Sequence, residues 1–130
     1  MSDITLQGRG GAGSIEGEAV VSTETVCFCS IDGNGAWYQK GHPLHGKTVK
    51  DKILVYPGGG GYAGTLLPYF QGVAPKALVV MQPYSHEMIE AVMLEMPIVW
   101  GFDQNLVNVI ADGDKLVVDG DKATVTVKKC

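Results

Sequence analysis

KILVYPGGGGYAGT, residues 52 to 65, sets a short apolar run directly against a proline and four consecutive glycines. An unbroken run such as Ile53 to Tyr56 is the pattern of a strand buried on both faces, as in a parallel sheet covered on each side. Glycine loses more conformational entropy on folding than any other residue, so four in a row is locally costly. Either the backbone turns through positive φ there, or something must approach it closely.

Two more runs of the same kind follow, APKALVVMQ (74 to 82) and PIVWG (97 to 101). Between them SHEMIEAVMLE (85 to 95) reads as a helix. Ser85 can cap it, Glu87 sits in its first turn, and Met88, Ile89, Val92 and Met93 share one face. Pro97 ends it. Strand, glycine loop, short helix, strand, helix, strand is an α/β unit with right-handed crossovers. The ends of the chain are β-only: EGEAVVS (16 to 22) after a glycine-rich lead-in, VCFCSI (26 to 31) before a DGNG turn, and KLVVDGDKATVTV (115 to 127). The last alternates around an Asp-Gly turn as a hairpin does. LVNVI (106 to 110) reads as a short helix. The expected fold is α/β: a parallel core flanked by an antiparallel layer, in a β/β/α arrangement. One domain spans 1 to 130, with residues 1 to 9 flexible.

Length and composition agree with one domain: 130 residues, 45% hydrophobic and 18% charged, with mean hydropathy +0.11. The low charge suggests that a partner covers part of the surface. A net charge of −4 and no run of basic residues argue against nucleic acid or an anionic membrane as partner. No apolar stretch is long enough to span a bilayer, and the N-terminus lacks the pattern of a secretory signal. Three cysteines, Cys27, Cys29 and Cys130, make a poor disulfide framework and fit a reducing cytoplasm. Neither this set nor the His42/His45 pair in HPLHG has the spacing of a metal centre, so no metal is expected in this chain.

A glycine-rich loop between a buried strand and a helix suits an anion, because the helix start exposes unpaired N–H groups and about half a positive charge. The P-loop pattern fails, since Gly64 is followed by Thr65 with no lysine nearby. GGGYAG (59 to 64) matches the dinucleotide fingerprint, but the second strand ends in Met-Gln-Pro-Tyr-Ser without the required acidic residue. What remains is a small carboxylate or phosphate held by Gly59, Gly60, Gly61 and Gly64, with Tyr62 and Thr65 supplying hydroxyls. A connection without a ligand is the alternative. Asp103 and Gln104 in GFDQ follow the third strand at the same sheet edge, where Asp103 can cap the next helix.

EGEAVVS, HPLHGKTVKDKILVYPGGGG, APKALVV, GFDQ and VDGDKATVTV together resemble, in order and spacing, the swivel domain of the aconitase X family, from about Gly10 to Lys129. That family has a swivelling β/β/α fold, either fused to a large catalytic domain or standing alone as a small subunit. The resemblance implies a cytoplasmic hydro-lyase subunit that is inactive without an aconitase-like large subunit. The large subunit would carry the iron–sulfur cluster or other metal, and this chain would close over it with its glycine loop. Family reactions are the dehydration of cis-3-hydroxy-L-proline and of mevalonate 5-phosphate. A carboxylate-recognising loop with only Lys47, Lys50 and Lys52 close in sequence favours the first. The second reaction and a non-catalytic small-anion-binding module are the alternatives. The family places a serine directly after the glycines as the base. Here Tyr62 and Ala63 stand there, which leaves Thr65, and then Tyr62, as the catalytic candidates.

Overall fold

The computed structural model describes residues 4–11, 13–24, 26, 36–37, 41–58, 72–83, 85–102 and 105–128. Eight strands are described: β1 (Ile4–Gln7), β2 (Arg9–Gly11), β3 (Ser14–Val21), β4 (Ile53–Tyr56), β5 (Ala77–Val80), β6 (Ile98–Trp100), β7 (Lys115–Asp119) and β8 (Thr124–Lys128). Helix α1 (Ser85–Met93) joins β5 to β6, and a 3-10 turn covers Leu106–Asn108. Spatial order is β1-β8-β7-β3-β4-β5-β6-β2. The three apolar runs pair in parallel, Leu54 with Leu78 and Leu78 with Ile98, as the sequence pattern requires.

Two strands make this sheet into two layers. Ser14 to Glu18 of β3 pair antiparallel with β7, while Ala19 to Val21 pair parallel with β4. At the other side, β1 pairs with β8 and β2 pairs with β6, and Gly8 alone separates them in sequence. Strands that switch sheets turn the corners of such packings. A Cβ on Gly8 would run into the carbonyl of Trp100, and its N–H donates to the Ala123 carbonyl at 2.8 Å. Ile4–Gln7, within the stretch expected to be flexible, is therefore a paired strand.

The layers account for the side chains. Ile53, Val55, Ala77, Val79 and Val99 point into a core shared with Leu6, Leu116, Val118, Val125 and Val127 of the antiparallel layer. Leu54, Tyr56, Leu78, Val80 and Ile98 point the other way, against Ala91 and Met96 at the helix and Trp37, Leu44 and Val49 of the crossing segment. This is the β/β/α arrangement. Each fully buried Val, Leu or Ile contributes about 1.5–3 kcal/mol relative to exposure.

The sequence reading differs from the structure in two further places. Arg9–Gly11 and Ser14–Glu18 are strand, although the glycines there suggested a lead-in to one. The glycines answer to close approach: a Cβ on Gly10 would lie 2.6 Å from the Ile98 carbonyl and 2.9 Å from that of Gly120. The second difference is the helix face. Ile89, Val92 and Met93 are 59%, 57% and 68% exposed, whereas Ala91 is buried and Met88 and Leu94 are half-buried against the sheet. Small Ala91 lets the helix lie close, which turns the bulkier residues outward. VCFCSI beyond Val26, the DGNG turn and the helix expected after the glycine loop lie outside the described residues.

Replacing Val79 by aspartate is expected to prevent folding. An unpaired buried carboxylate costs several kcal/mol, against a total stability of roughly 5–15 kcal/mol. Val92→Lys is expected to shift stability by no more than about 0.5 kcal/mol, because its side chain faces water. Thermal melts of both variants check the pair, and a cooperative melt of Val79→Asp at the parent temperature would show the core to be misplaced.

Candidate functional site

Parallel strands all end on one edge, and connecting loops there form the usual ligand crevice of open α/β sheets. In this chain that edge carries Ser22 after β3, Pro57 and Gly58 after β4, Met81 and Gln82 after β5, and Gly101 after β6. Backbone bonds continue past the strand ends. The Ser22 N–H donates to Val55 (2.8 Å), Val26 to Gly58 (3.0 Å), Met81 to Tyr56 (3.1 Å) and Gln82 to Pro57 (3.0 Å). The glycine loop thus leaves the sheet from a fixed base. Gly58 is buried there, and a Cβ on it would sit 2.8 Å from the Gln82 carbonyl oxygen. The first glycine of the run is needed for this approach, whatever the others do.

Gly59, Gly60, Gly61, Tyr62, Gly64 and Thr65 lie outside the described residues, as do Asp103, Gln104, Cys27, Cys29 and Cys130. What the structure describes is the base from which the loop springs. Beside it lies a cavity of ≈190 Å³. Buried Val55 and Leu106 line it together with Pro57 and Met81, and exposed Thr23 and Asn105 complete it. The sequence reading named neither polar residue. The signal available for them was position alone, one residue past EGEAVVS and one past GFDQ, at the ends of strands that the edge rule marks.

The first histidine of HPLHG has a structural role. His42 is buried with its ring 5.1 Å from that of Trp37, its Nδ1 accepts the Leu44 N–H at 3.1 Å, and its carbonyl accepts the His45 N–H at 3.0 Å. Among the described residues no three histidines, cysteines or carboxylates gather where they could hold a metal. Of the lysines weighed as anion partners, Lys47 contacts Asp112 at 2.6 Å and Lys52 contacts Glu18 at 3.2 Å. Lys52 directly precedes β4, so it stands at the opposite edge from the glycine loop. Asp112 is itself fixed, accepting the Val21 N–H at 2.7 Å.

The model of the aconitase X swivel domain matches residues 5–127 of this sequence. The chain belongs to that family. Curated relatives include the phosphomevalonate dehydratase small subunit of Methanocella arvoryzae, 37% identical over 83% of this chain and 86% of that protein. The protein of the same name from Methanosarcina acetivorans is 30% identical over 99% and 94%. Among solved structures, the crystal structure of holo-form aconitase X from Thermococcus kodakaraensis superposes with a TM-score of 0.83 at 29% identity, covering 97% of this chain and 99% of that one. The solution structure of a UPF0107 protein gives 0.80, also at 29% identity. The swivel fold expected from the resemblance is the fold observed.

Gly58→Ala is expected to lower stability by about 1–3 kcal/mol, because the new methyl group must displace the Gln82 carbonyl or the loop base. Gly11→Ala, where a Cβ would meet nothing within 4 Å, serves as the matched control and is expected to melt near the parent temperature. Equal melting of the two variants would mean that the base is not tightly fixed.

Proposed function

We propose that this chain is the small subunit of an aconitase-X-type hydro-lyase, and that the assembled enzyme dehydrates mevalonate 5-phosphate. The observation that carries this reading is the near end-to-end match to phosphomevalonate dehydratase small subunits, 37% identical in the Methanocella arvoryzae case. It favours the alternative expected from sequence over cis-3-hydroxy-L-proline. Few lysines lie near the loop in sequence, but a subunit that shares its site with a larger partner need not supply the phosphate's cations. Two of the three lysines counted are in any case paired with carboxylates.

Loss of water from a hydroxy acid needs a base at one carbon and a proton donor or Lewis acid at the departing hydroxyl. The Lewis acid is assigned to the large subunit, as the family resemblance implies. This chain contributes the glycine loop, whose N–H groups take an anionic oxygen of the substrate, and a hydroxyl as base. Thr65 is the candidate in place of the family serine, with Tyr62 second. We assign the assembly to the cytoplasm. No helix among the described residues is long and apolar enough to cross a membrane. The replacement of serine by Tyr62 and Ala63 favours a second reading, in which the loop binds the anion and the large subunit supplies the base.

The test is co-expression with an aconitase-like large subunit, followed by assay for loss of water from mevalonate 5-phosphate and, in parallel, from cis-3-hydroxy-L-proline. Turnover of the first substrate by the complex is expected, with neither turnover nor stoichiometric metal in this chain alone. Thr65→Ala is expected to lower kcat by about 10²–10⁴ while substrate still binds, and Tyr62→Phe to be mild. Full activity in both, with loss in Gly60→Val, would assign the base to the large subunit. Dehydration of hydroxyproline alone would overturn the substrate.

A further inference from the structure

Among the described residues only four large apolar side chains are exposed, and three of them, Ile89, Val92 and Met93, share the outer face of α1. Their i, i+3, i+4 spacing is that of anchors which a helix lays into a partner's groove. Exposed apolar surface gathered in this way marks an interaction site, whereas single apolar residues scattered over a surface do not. The helix starts at the carboxyl edge, after Met81 and Gln82, and returns the chain to the amino edge, where β6 begins. At about 1.5 Å per residue its nine residues span roughly 13 Å.

Where the helix ends, a cleft of ≈260 Å³ opens. It lies at the amino ends of the parallel strands: Asp51 just precedes β4, Ala74 and Pro75 precede β5, and Leu94 and Met96 precede β6. Pro75 and Met96 are buried and Ala74 and Leu94 half-buried, so its wall is apolar. Backbone bonds fix that wall. The Asp51 N–H donates to the Ala74 carbonyl at 3.2 Å, and the Met96 N–H to that of Ala91 at 2.8 Å. Asp51 and Glu95 complete the lining, both exposed and neither ion-paired among the described residues. Lys76 also lines the cleft, but its ammonium lies over β3, 2.9 Å from where a Cβ on Gly17 would stand.

We infer that the outer face of α1 and this cleft together form a docking surface for the large subunit, which lays an apolar patch on Ile89, Val92 and Met93 and sets a lysine or arginine into the cleft. The inference rests on the small-subunit part of the reading above. A long cationic side chain suits the cleft, with its stem on Pro75 and Met96 and its head at Asp51 and Glu95. Charge decides against a second copy of this chain as the occupant. Residues 83 to 101 hold Glu87, Glu90 and Glu95 and no lysine or arginine, so two such helices face to face would set like charges together. Position favours the large subunit. Seated on the carboxyl edge, it meets the start of α1, and lying along the helix brings it to the cleft.

The experiment titrates this chain with an aconitase-like large subunit, reading Kd by calorimetry and then kcat on mevalonate 5-phosphate at saturating large subunit. Val92→Lys, which keeps the fold, is expected to raise Kd roughly tenfold. Ile4→Lys, at the fourth exposed apolar position, is the control and is expected to leave Kd unchanged. Asp51→Asn combined with Glu95→Gln is expected to raise Kd roughly threefold at low ionic strength and to flatten the rise of Kd with salt, which a purely structural role would not do. Asparagine tolerates the φ of 58° at position 51. The kcat of the saturated complex is expected to stay at the parent value throughout, because the altered residues lie away from the carboxyl edge. Parent-like Kd in Val92→Lys and in the double variant, with the parent complex formed, would overturn the docking surface and leave the dehydratase reading standing. Self-association of the parent chain that Val92→Lys abolishes would overturn it too, by making a second copy the occupant. Binding as expected without dehydration of mevalonate 5-phosphate would overturn the substrate alone. No complex with the large subunit would overturn both.

Discussion

The structure depends on one constraint: the parallel strands β4, β5 and β6 are apolar on both faces and must be covered twice. A helix and the crossing segment cover one side, with Ala91, Trp37 and Leu44 in contact. The other side needs a second sheet, and the chain builds it by letting single strands serve both layers. β3 changes partner between Glu18 and Ala19, and β1 passes into β2 through Gly8. The layers are thereby bound along both margins, and the hydrophobic burial between them closes around Leu116, Val118, Val125 and Val127.

Closure at the margins leaves the ends of the parallel strands as the place where backbone can reach a ligand. Buried N–H and C=O groups must be paired, so the tips continue their ladder through Ser22, Val26, Met81 and Gln82 before the loops diverge. The glycine run begins from this rigid base. Its first member fits only because it has no side chain. A rigid scaffold carrying a permissive loop is the usual division of work in α/β sites.

Most of the fold was legible in the residues. KILVY, ALVV and IVW are unbroken apolar runs, and such runs in alternation with a helix specify parallel neighbours with few alternatives. The β7–β8 hairpin was legible for the same reason, since Leu116, Val118, Val125 and Val127 alternate around Asp119 and Gly120. What escaped depends on three-dimensional approach. Gly10 is a glycine because two layers touch backbone to backbone there, and composition alone reads it as part of a lead-in. The outward turn of Ile89, Val92 and Met93 is set by how closely Ala91 packs, which helical spacing does not encode. For the site, the glycine loop announced itself by its cost. Thr23 and Asn105, which line the cavity beside the loop base, did not, being ordinary polar residues placed only by the strand ends beside them.

The placement of two lysines then bears on how two subunits would share one substrate. Lys47 and Lys52, paired with Asp112 and Glu18, gain little stability from those exposed contacts, yet the pairing satisfies their charge locally. Asp112 also holds the Val21 N–H, so drawing Lys47 away toward a phosphate would leave a carboxylate uncompensated beside β3. Under the proposed function, the cheaper arrangement leaves Lys47 on Asp112 and takes the phosphate's cations from the large subunit. Strong charges held there would act on the substrate only once the two subunits meet.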